Sequence, residues 1–266
     1  MIIKLGPAGS PVKTSFDGIK FVKDKGLHIM ECEFVHGVKM SNNMAIEIGK
    51  EAKKHEIELS IHGPYYINLA SEDKQIRIDS KKRLIDSLER GNNMKAKYVS
   101  FHPAFFGKMN KEDVHEIVKE AIKEMNEIRI KNGWEVELAP ETTGKHSAYG
   151  SFDETLRLVK ETKCNLCVDV GHVFARGMGK LDFKEMFDKL LELNLKEYYF
   201  QYTGINYNEK GELNHITLDE GGPDFREFAK ELLKRKVNAH IICESPITWQ
   251  DSLKMKEILI GLGYEF

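Results

Sequence analysis

Short apolar runs recur along the chain and alternate with longer segments that show helical spacing of apolar residues. The runs are rich in β-branched and aromatic residues, which is typical of buried strands, whereas the segments between them are typical of amphipathic helices. Eight runs begin about 30 to 40 residues apart, the length of one strand followed by one helix. The predicted strands are Ile2–Leu5, His28–Phe34, Leu59–His62, Tyr98–His102, Glu135–Glu141, Leu166–Asp169, Glu197–Tyr202 and Ala239–Glu244.

The segments between these runs carry signals for the start of helices. Ser151 with Glu154, and Asp182 with Glu185, follow the pattern of a capping box, in which the two side chains satisfy free backbone amides. A stripe of apolar residues predicts a helix over Asn110–Asn132. We interpret this stripe as core packing rather than as a surface for a partner helix.

The order of the elements predicts one domain. No linker rich in Pro, Gly or Ser divides the 266 residues, so we expect a single domain over residues 1–266. Eight strands that alternate with helices favour one closed (β/α)8 barrel of the α/β class, the TIM barrel. A doubly wound open sheet is the alternative. It usually has a glycine-rich first turn, and Gly6-Pro7-Ala8-Gly9 does not follow the dinucleotide-binding pattern.

Charge and composition narrow the class of partner. The 40 Lys and Arg residues nearly balance the 42 Asp and Glu residues, so nucleic acid would have to be bound by a local patch. No stretch approaches the roughly 20 apolar residues of a membrane span. The first residues, Met1–Pro7, leave no room for a signal sequence. We therefore expect a cytoplasmic protein that does not bind membranes, and we expect it to be a monomer.

The four cysteines include one close pair, Cys164 and Cys167. A zinc ribbon needs a second pair at similar spacing, and the chain has none. We interpret Cys164 and Cys167 as small apolar residues that flank a buried strand and keep reduced thiols.

Titratable side chains follow the carboxyl-terminal ends of the predicted strands. In a barrel these ends form one ring around the mouth, where active sites lie. A single histidine at a strand end is more often a hydrogen-bonded rim residue, but packing alone would rarely place so many at one end. The predicted ring contains His62, His102, Glu141, Asp169, His172, His215 and Glu244.

This ring has the chemistry of a metal site. Burying so many titratable groups together is costly unless cations compensate. Imidazole nitrogen mixed with carboxylate oxygen suits Zn²⁺, and also Mn²⁺ or Fe²⁺. Because the ring offers more ligands than the roughly four of one zinc ion, it predicts more than one metal. His62, His102 and Glu141 follow consecutive strands and leave a position for water or substrate.

The strand ends form a series of motifs: Ser60-Ile61-His62-Gly63-Pro64-Tyr65-Tyr66-Ile67-Asn68-Leu69-Ala70, Phe101-His102-Pro103, Glu141-Thr142-Thr143-Gly144, Cys167-Val168-Asp169-Val170-Gly171-His172-Val173-Phe174-Ala175 and Ile242-Cys243-Glu244-Ser245. In this order they resemble the endonuclease IV family of apurinic/apyrimidinic endonucleases, within the xylose isomerase-like TIM barrels. The resemblance runs from about Leu59 to Glu244. It implies a zinc-dependent phosphodiesterase for DNA repair, which cuts the backbone of damaged DNA 5′ to an abasic sugar.

The resemblance also implies three zinc ions and a role for each matched position. Glu141 bridges the first and second ions, and Glu141 and Glu244 are the candidate catalytic carboxylates. The implied ligands are His62, His102 and Glu141 for the first ion, Glu141, Asp169, Glu244 and the residue at position 201 for the second, and His172 and His215 for the third.

Two positions depart from the pattern of the family. Gln201 stands where the family has a histidine on the second zinc. Leu213 stands where the family has an aspartate two residues before the loop histidine, and Glu212 precedes it. An amide oxygen binds metal more weakly than an imidazole, and a leucine side chain does not bind it. We therefore predict Gln201 as a weak ligand and two bound metal ions rather than three, with the third site, at His172 and His215, left short of ligands.

Two other functions stay open. Related sugar isomerases and epimerases hold one divalent ion with four residues that resemble Glu141, Asp169, residue 201 and Glu244. In such a site two carboxylates can flank the substrate carbon. Such a one-metal site has little need of both His62 and His102. The second alternative is a metal-binding barrel without catalytic activity, which the residues at 201 and 213 favour.

The sequence does not assign the DNA-binding residues. Basic residues in loops on the ligand face are candidates for two or three phosphate contacts. These are Lys39, Lys74, Lys108, Lys145, Arg176 and Lys180.

Overall fold

Twelve strands and nine helices make up the computed structural model, which describes residues 1–266. The strands are β1 (Ile3–Pro7), β2 (Ile29–Glu33), β3 (Glu58–His62), β4 (Tyr98–Phe101), β5 (Ala104–Phe105), β6 (Glu137–Pro140), β7 (Ala148–Tyr149), β8 (Cys167–Asp169), β9 (Tyr198–Tyr202), β10 (Gly204–Asn208), β11 (Gly211–Ile216) and β12 (Ala239–Cys243). The helices are α1 (Ser15–Asp24), α2 (Asn42–His55), α3 (Lys74–Met94), α4 (Lys111–Lys131), α5 (Phe152–Thr162), α6 (Val170–Arg176), α7 (Phe183–Leu191), α8 (Phe225–Lys234) and α9 (Thr248–Gly261).

Eight parallel strands form the barrel, and each coincides with one of the predicted apolar runs. They pair as two four-stranded sheets, β8-β9-β12-β1 and β2-β3-β4-β6. Two isolated parallel bridges, Ala8 with Glu31 and Glu141 with Cys167, join the sheets at both edges. The prediction of a TIM barrel in the α/β class is therefore confirmed.

Of the two predicted capping boxes, the one at Ser151 is complete and the one at Asp182 is formed only in part. Ser151 and Glu154 form a complete capping box at the start of α5. Asp182 accepts a hydrogen bond from the backbone amide of Glu185 and so caps α7. The predicted helix over Asn110–Asn132 is α4, with those two residues as its caps. None of the nine helices combines the length and the apolar character needed to cross a membrane.

Burial follows the alternation expected of barrel strands. Apolar side chains on one face of each strand pack under the helices, while the other face points into the barrel. The interior holds a small apolar cluster that includes Ile29, Tyr98 and Tyr199, and next to it the buried polar residues Glu31 and Gln201.

Two additions at the carboxyl-terminal side of the barrel were not predicted. One is the short antiparallel pair β5 and β7, and the other is the hairpin of β10 and β11. The hairpin follows β9 after a single residue and carries His215. It matters for function because it folds a predicted loop residue onto the mouth of the barrel.

Candidate metal centre

The first donor cluster joins three neighbouring strands of one sheet. His62 ends β3, His102 follows β4 and Glu141 follows β6, so parallel pairing brings them to the same level. Nε2 of His62 lies 3.2 Å from Oε2 of Glu141, and Nε2 of His102 lies 2.8 Å from Oε1. One carboxylate thus contacts two imidazoles, and the three residues can hold a metal ion.

The second donor cluster consists of Asp169, His172 and His215. Asp169 ends β8 and caps α6, because its Oδ1 accepts a hydrogen bond of 2.7 Å from the backbone amide of His172. This cap orients the first turn of α6 and places His172 at the barrel mouth. The β10–β11 hairpin then brings Nε2 of His215 to 3.5 Å from Nε2 of His172.

Glu141 connects the two clusters. Its Oε1 atom, which contacts His102, also lies 3.2 Å from Nδ1 of His172. The site is therefore one continuous set of donors rather than two separate ones.

Backbone carbonyls fix the orientation of three of the imidazoles. In each case Nδ1 lies within hydrogen-bond distance of a carbonyl oxygen, which leaves Nε2 free to act as a ligand in the neutral ring. Such outer partners orient metal-binding histidines in general. The pairs are His62 with Gly63 at 2.8 Å, His172 with Thr142 at 2.9 Å and His215 with Glu244 at 3.0 Å.

Burial and neighbouring charges shift the pKa values of the site. Burial opposes protonation of His62, but the hydrogen bond and charge of Glu141 outweigh it and raise the pKa of His62 to about 10. Burial also opposes protonation of His172, but Asp169 and Glu141 outweigh it and raise the pKa of His172 to about 10. Burial also raises the pKa of Asp169, and burial with the charges of Glu141 and Asp169 raises that of Glu244. Buried carboxylates therefore depend on nearby positive charge.

Two features show that these donors fit a divalent metal ion. Oδ2 of Asp169 is buried and accepts no hydrogen bond, and the His172 Nδ1 atom 3.4 Å away is turned to the Thr142 carbonyl. His172 and His215, when neutral with their protons on Nδ1, present two Nε2 lone pairs to each other across 3.5 Å. A cation held among Oδ2 of Asp169 and the two Nε2 atoms would give each of these atoms a positively charged partner.

The clusters form the floor of a cavity of about 540 Å³. Glu33, Tyr65, Glu212 and Glu244 line its walls together with every cluster residue except Asp169, whereas no Lys or Arg lines it. Glu244 therefore lies at the site but in neither cluster. Gln201 does not line the cavity, and it is completely buried inside the barrel.

Sequence reasoning missed several polar residues around the site. Glu31 is a completely buried carboxylate in β2, hydrogen-bonded by the side chains of Ser100, Tyr199 and Gln201. An acid inside an otherwise apolar run was the available signal for it. Glu33 ends β2, and Tyr65 lies in the loop after β3 within the first motif of the resemblance, but neither was predicted to line the site.

The candidate phosphate-binding residues differ in what they can contact. Lys39, Lys108 and Lys145 are exposed, as are Lys74 and Lys180. The Arg176 guanidinium is instead mostly buried and is used within the protein. Its Nη1 lies within hydrogen-bond distance of four oxygens, namely the carbonyls of Thr143, Lys145 and Ala148 and the hydroxyl of Thr143.

Comparison with known proteins places the chain in a family. A profile described as a xylose isomerase-like TIM barrel matches residues 19–259. The chain belongs to this family, which confirms the predicted resemblance. An uncharacterized protein of Methanocaldococcus jannaschii is 30% identical over 263 residues, which cover 95% of each chain.

Other relatives carry names that indicate two kinds of reaction. A probable endonuclease 4 of Mycoplasmopsis pulmonis is 29% identical over 215 residues, 77% of this chain and 76% of the relative. Among solved structures, a D-tagatose 3-epimerase-like protein has a TM-score of 0.78 and 18% identity, and covers 97% of this chain and 96% of its own. The latter similarity concerns the fold alone.

Proposed function

We propose that this protein is a metal-dependent phosphodiesterase of the endonuclease IV type, which cleaves DNA at abasic sites with zinc as its metal. The observation that carries the proposal is Oε1 of Glu141, which lies within 3.2 Å of imidazoles from both clusters. A carboxylate between adjoining donor clusters suits two ions that share one phosphate. The similarity to a probable endonuclease 4 supports the same reaction.

Residues of the site divide the work of this reaction. Bound divalent ions would supply hydroxide near neutral pH and offset the charge of the phosphate. His62 and His102 hold Glu141 in place from two sides. The Glu244 carboxylate makes no hydrogen bond and lines the cavity, so it can take up or release a proton at the leaving oxygen. Tyr65 packs against the His62 ring, with ring centroids 5.5 Å apart.

The cavity wall supports a second candidate, a sugar isomerase or epimerase. No Lys or Arg lines the cavity, and the Glu33 carboxylate on its wall makes no ion pair. Such a wall is better suited to uncharged hydroxyl groups than to several phosphates. In that reaction Glu141 and Glu244 would serve as the two carboxylates that move a proton beside a carbonyl.

A paired activity assay tests the proposal. The protein, loaded with Zn²⁺ or Mn²⁺, is incubated with a duplex that contains one tetrahydrofuran abasic analogue, with the intact duplex, and separately with ketohexoses. We expect cleavage 5′ to the analogue, no cleavage of the intact duplex and no epimerised sugar. His102→Ala should abolish cleavage because it removes a ligand, whereas His55→Ala, at the far end of α2, should leave it unchanged. Epimerised sugar without cleavage would replace the first candidate with the second. Absence of both activities would overturn both candidates.

A further inference from the structure

The β10–β11 hairpin contains a bulge beside the metal centre. Asn206 pairs with Asn214, but the next residue of β10, Tyr207, pairs with Glu212. Leu213 is therefore the extra residue of the bulge, and 55% of its surface is exposed. The bulge changes which of two neighbouring side chains faces the barrel mouth.

Two glycines allow the hairpin to lie close against the loop that follows β6. The backbone amide of Glu212 donates a hydrogen bond of 3.2 Å to the carbonyl of Gly144. A Cβ atom on Gly144 would lie 2.5 Å from Cβ of Glu212, and one on Gly211 would clash with the Gly144 carbonyl. Gly211 also has a φ of +100°, which favours glycine. Close backbone packing thus fixes the position of Glu212.

This packing brings the Glu212 carboxylate to the second cluster. Oε2 of Glu212 lies 3.3 Å from Nε2 of His172, which in turn lies 3.5 Å from Nε2 of His215. Because Nδ1 of both imidazoles lies at a backbone carbonyl, their Nε2 atoms are available as ligands, and Nε2 of His172 has both the Glu212 oxygen and Nε2 of His215 within 3.5 Å. Two imidazoles with a carboxylate form a donor set typical of zinc.

We propose that Glu212 is a ligand of a divalent metal ion at the second cluster, in place of the aspartate that the sequence lacks at position 213. The proposal rests on the proposed metal centre but not on the reaction it performs. It places one ion at the first cluster and the other at the second cluster completed by Glu212, where the resemblance puts its third ion.

Metal stoichiometry of the purified protein tests this assignment. Each protein is stripped with a chelator, reloaded with Zn²⁺ or Co²⁺ and freed of excess metal. Bound metal is measured by elemental analysis, and the Co²⁺ environment by visible absorption. We expect about two equivalents for the unaltered protein and about one for Glu212→Ala, with part of the Co²⁺ spectrum lost. Leu213→Ala is the matched control and should keep two.

A double variant tests whether metal binding depends on the position of the carboxylate in the bulge or only on its charge. In the Glu212→Ala background, Leu213→Asp restores one carboxylate at the neighbouring position. We expect it to remain at one equivalent because residue 213 is exposed in the bulge. Glu212→Gln, which keeps the size of the side chain, should also lose affinity for the second ion, and circular dichroism verifies that each variant is folded.

The outcomes distinguish this assignment from the proposed function. A second equivalent regained by Leu213→Asp would overturn only the claim that the bulge keeps residue 213 away from the ion. Two equivalents in Glu212→Ala would overturn the role of Glu212 alone. In that case Glu212 would be only an ion-pair partner of His172. Absence of bound metal in the unaltered protein would overturn both the metal centre and the proposed phosphodiesterase.

Discussion

Gln201 and Glu31 meet inside the barrel, where Nε2 of Gln201 donates a hydrogen bond of 3.2 Å to Oε1 of Glu31. The other end of the same amide accepts a hydrogen bond from the Cys167 thiol, with Oε1 and Sγ 2.9 Å apart. Both residues are completely buried. Gln201, at the metal-binding position of the family, thus belongs to a hydrogen-bonded network inside the barrel. That it is a weak metal ligand stays a prediction.

Removal of this amide should destabilise the protein. Gln201→Leu leaves Oε1 of Glu31 without its donor, and an unsatisfied buried acceptor costs about 1–3 kcal/mol. Urea unfolding of the chelator-treated protein measures the free energy of unfolding. Gln250→Leu, at an exposed position, is the matched control and should change it little. Equal stability of the two variants would mean that the Glu31 network is not held by Gln201.

Protonated histidines should make the chelator-treated protein more stable at neutral than at high pH. The folded-state pKa of His62 and of His172 is about 10, above the ordinary value of 6.5. Their contribution is therefore fully present below about pH 6.5 and is lost as the pH rises toward 10. Urea midpoints measured across this range should fall with pH, and Glu141→Gln should flatten the profile. With saturating Zn²⁺ the trend should weaken, because metal ligands bind in the deprotonated form. A flat profile in the chelated protein would contradict the role given to Glu141.

Arg176 should be more important for stability than for phosphate contact. Its side chain is 11% exposed, and a lysine cannot reproduce the planar guanidinium that contacts four oxygens of the 143–148 segment. Arg176→Lys should lower the free energy of unfolding by about 1–3 kcal/mol. Arg226→Lys, on the exposed side of α8, provides the comparison and should be neutral. A loss of DNA affinity by Arg176→Lys without loss of stability would reverse this interpretation.

Binding to abasic duplex should depend weakly on salt. The logarithm of affinity should fall by about 0.9 per phosphate contact for each unit of log salt, a slope of about 2 to 3 for two or three contacts. Lys145→Ala, in the loop beside the centre, should reduce the slope by about one. Lys50→Ala, on the outer face of α2, should not. Fluorescence anisotropy at several salt concentrations gives the slope, and tight binding to intact duplex at high salt would exclude this mode.

The sequence predicted the barrel and most of the donor clusters because both depend on local order. His62, His102 and Glu141 follow consecutive strands, and parallel pairing alone brings such residues together. Asp169 and His172 are close in sequence, as the N-cap of α6 and a residue of its first turn. His215 also belongs to the site, but only the unpredicted hairpin explains how it reaches His172.

Long-range packing was not predictable from the same patterns. The exposure of Leu213 and the inward position of Glu212 depend on a bulge, and that bulge depends on contact with Gly144, far away in the chain. The burial of Arg176 likewise follows from how the 143–148 segment folds back on α6. The residues at positions 201 and 213 showed that two ligands of the family are missing. They did not show what Gln201 contacts or that Glu212 lies at the second cluster.

Each donor cluster belongs to one half of the barrel sheet. His62, His102 and Glu141 extend from β3, β4 and β6 in one four-stranded sheet, whereas the second cluster extends from β8 and from the hairpin after β9 in the other. Two backbone hydrogen bonds close each junction between the sheets, and the Glu141 carboxylate spans one junction because it contacts His102 of one cluster and His172 of the other. Metal bound at both clusters would therefore hold the two sheets together through Glu141. Amide hydrogen exchange at that junction would then report how much metal the protein carries, whatever substrate it turns over.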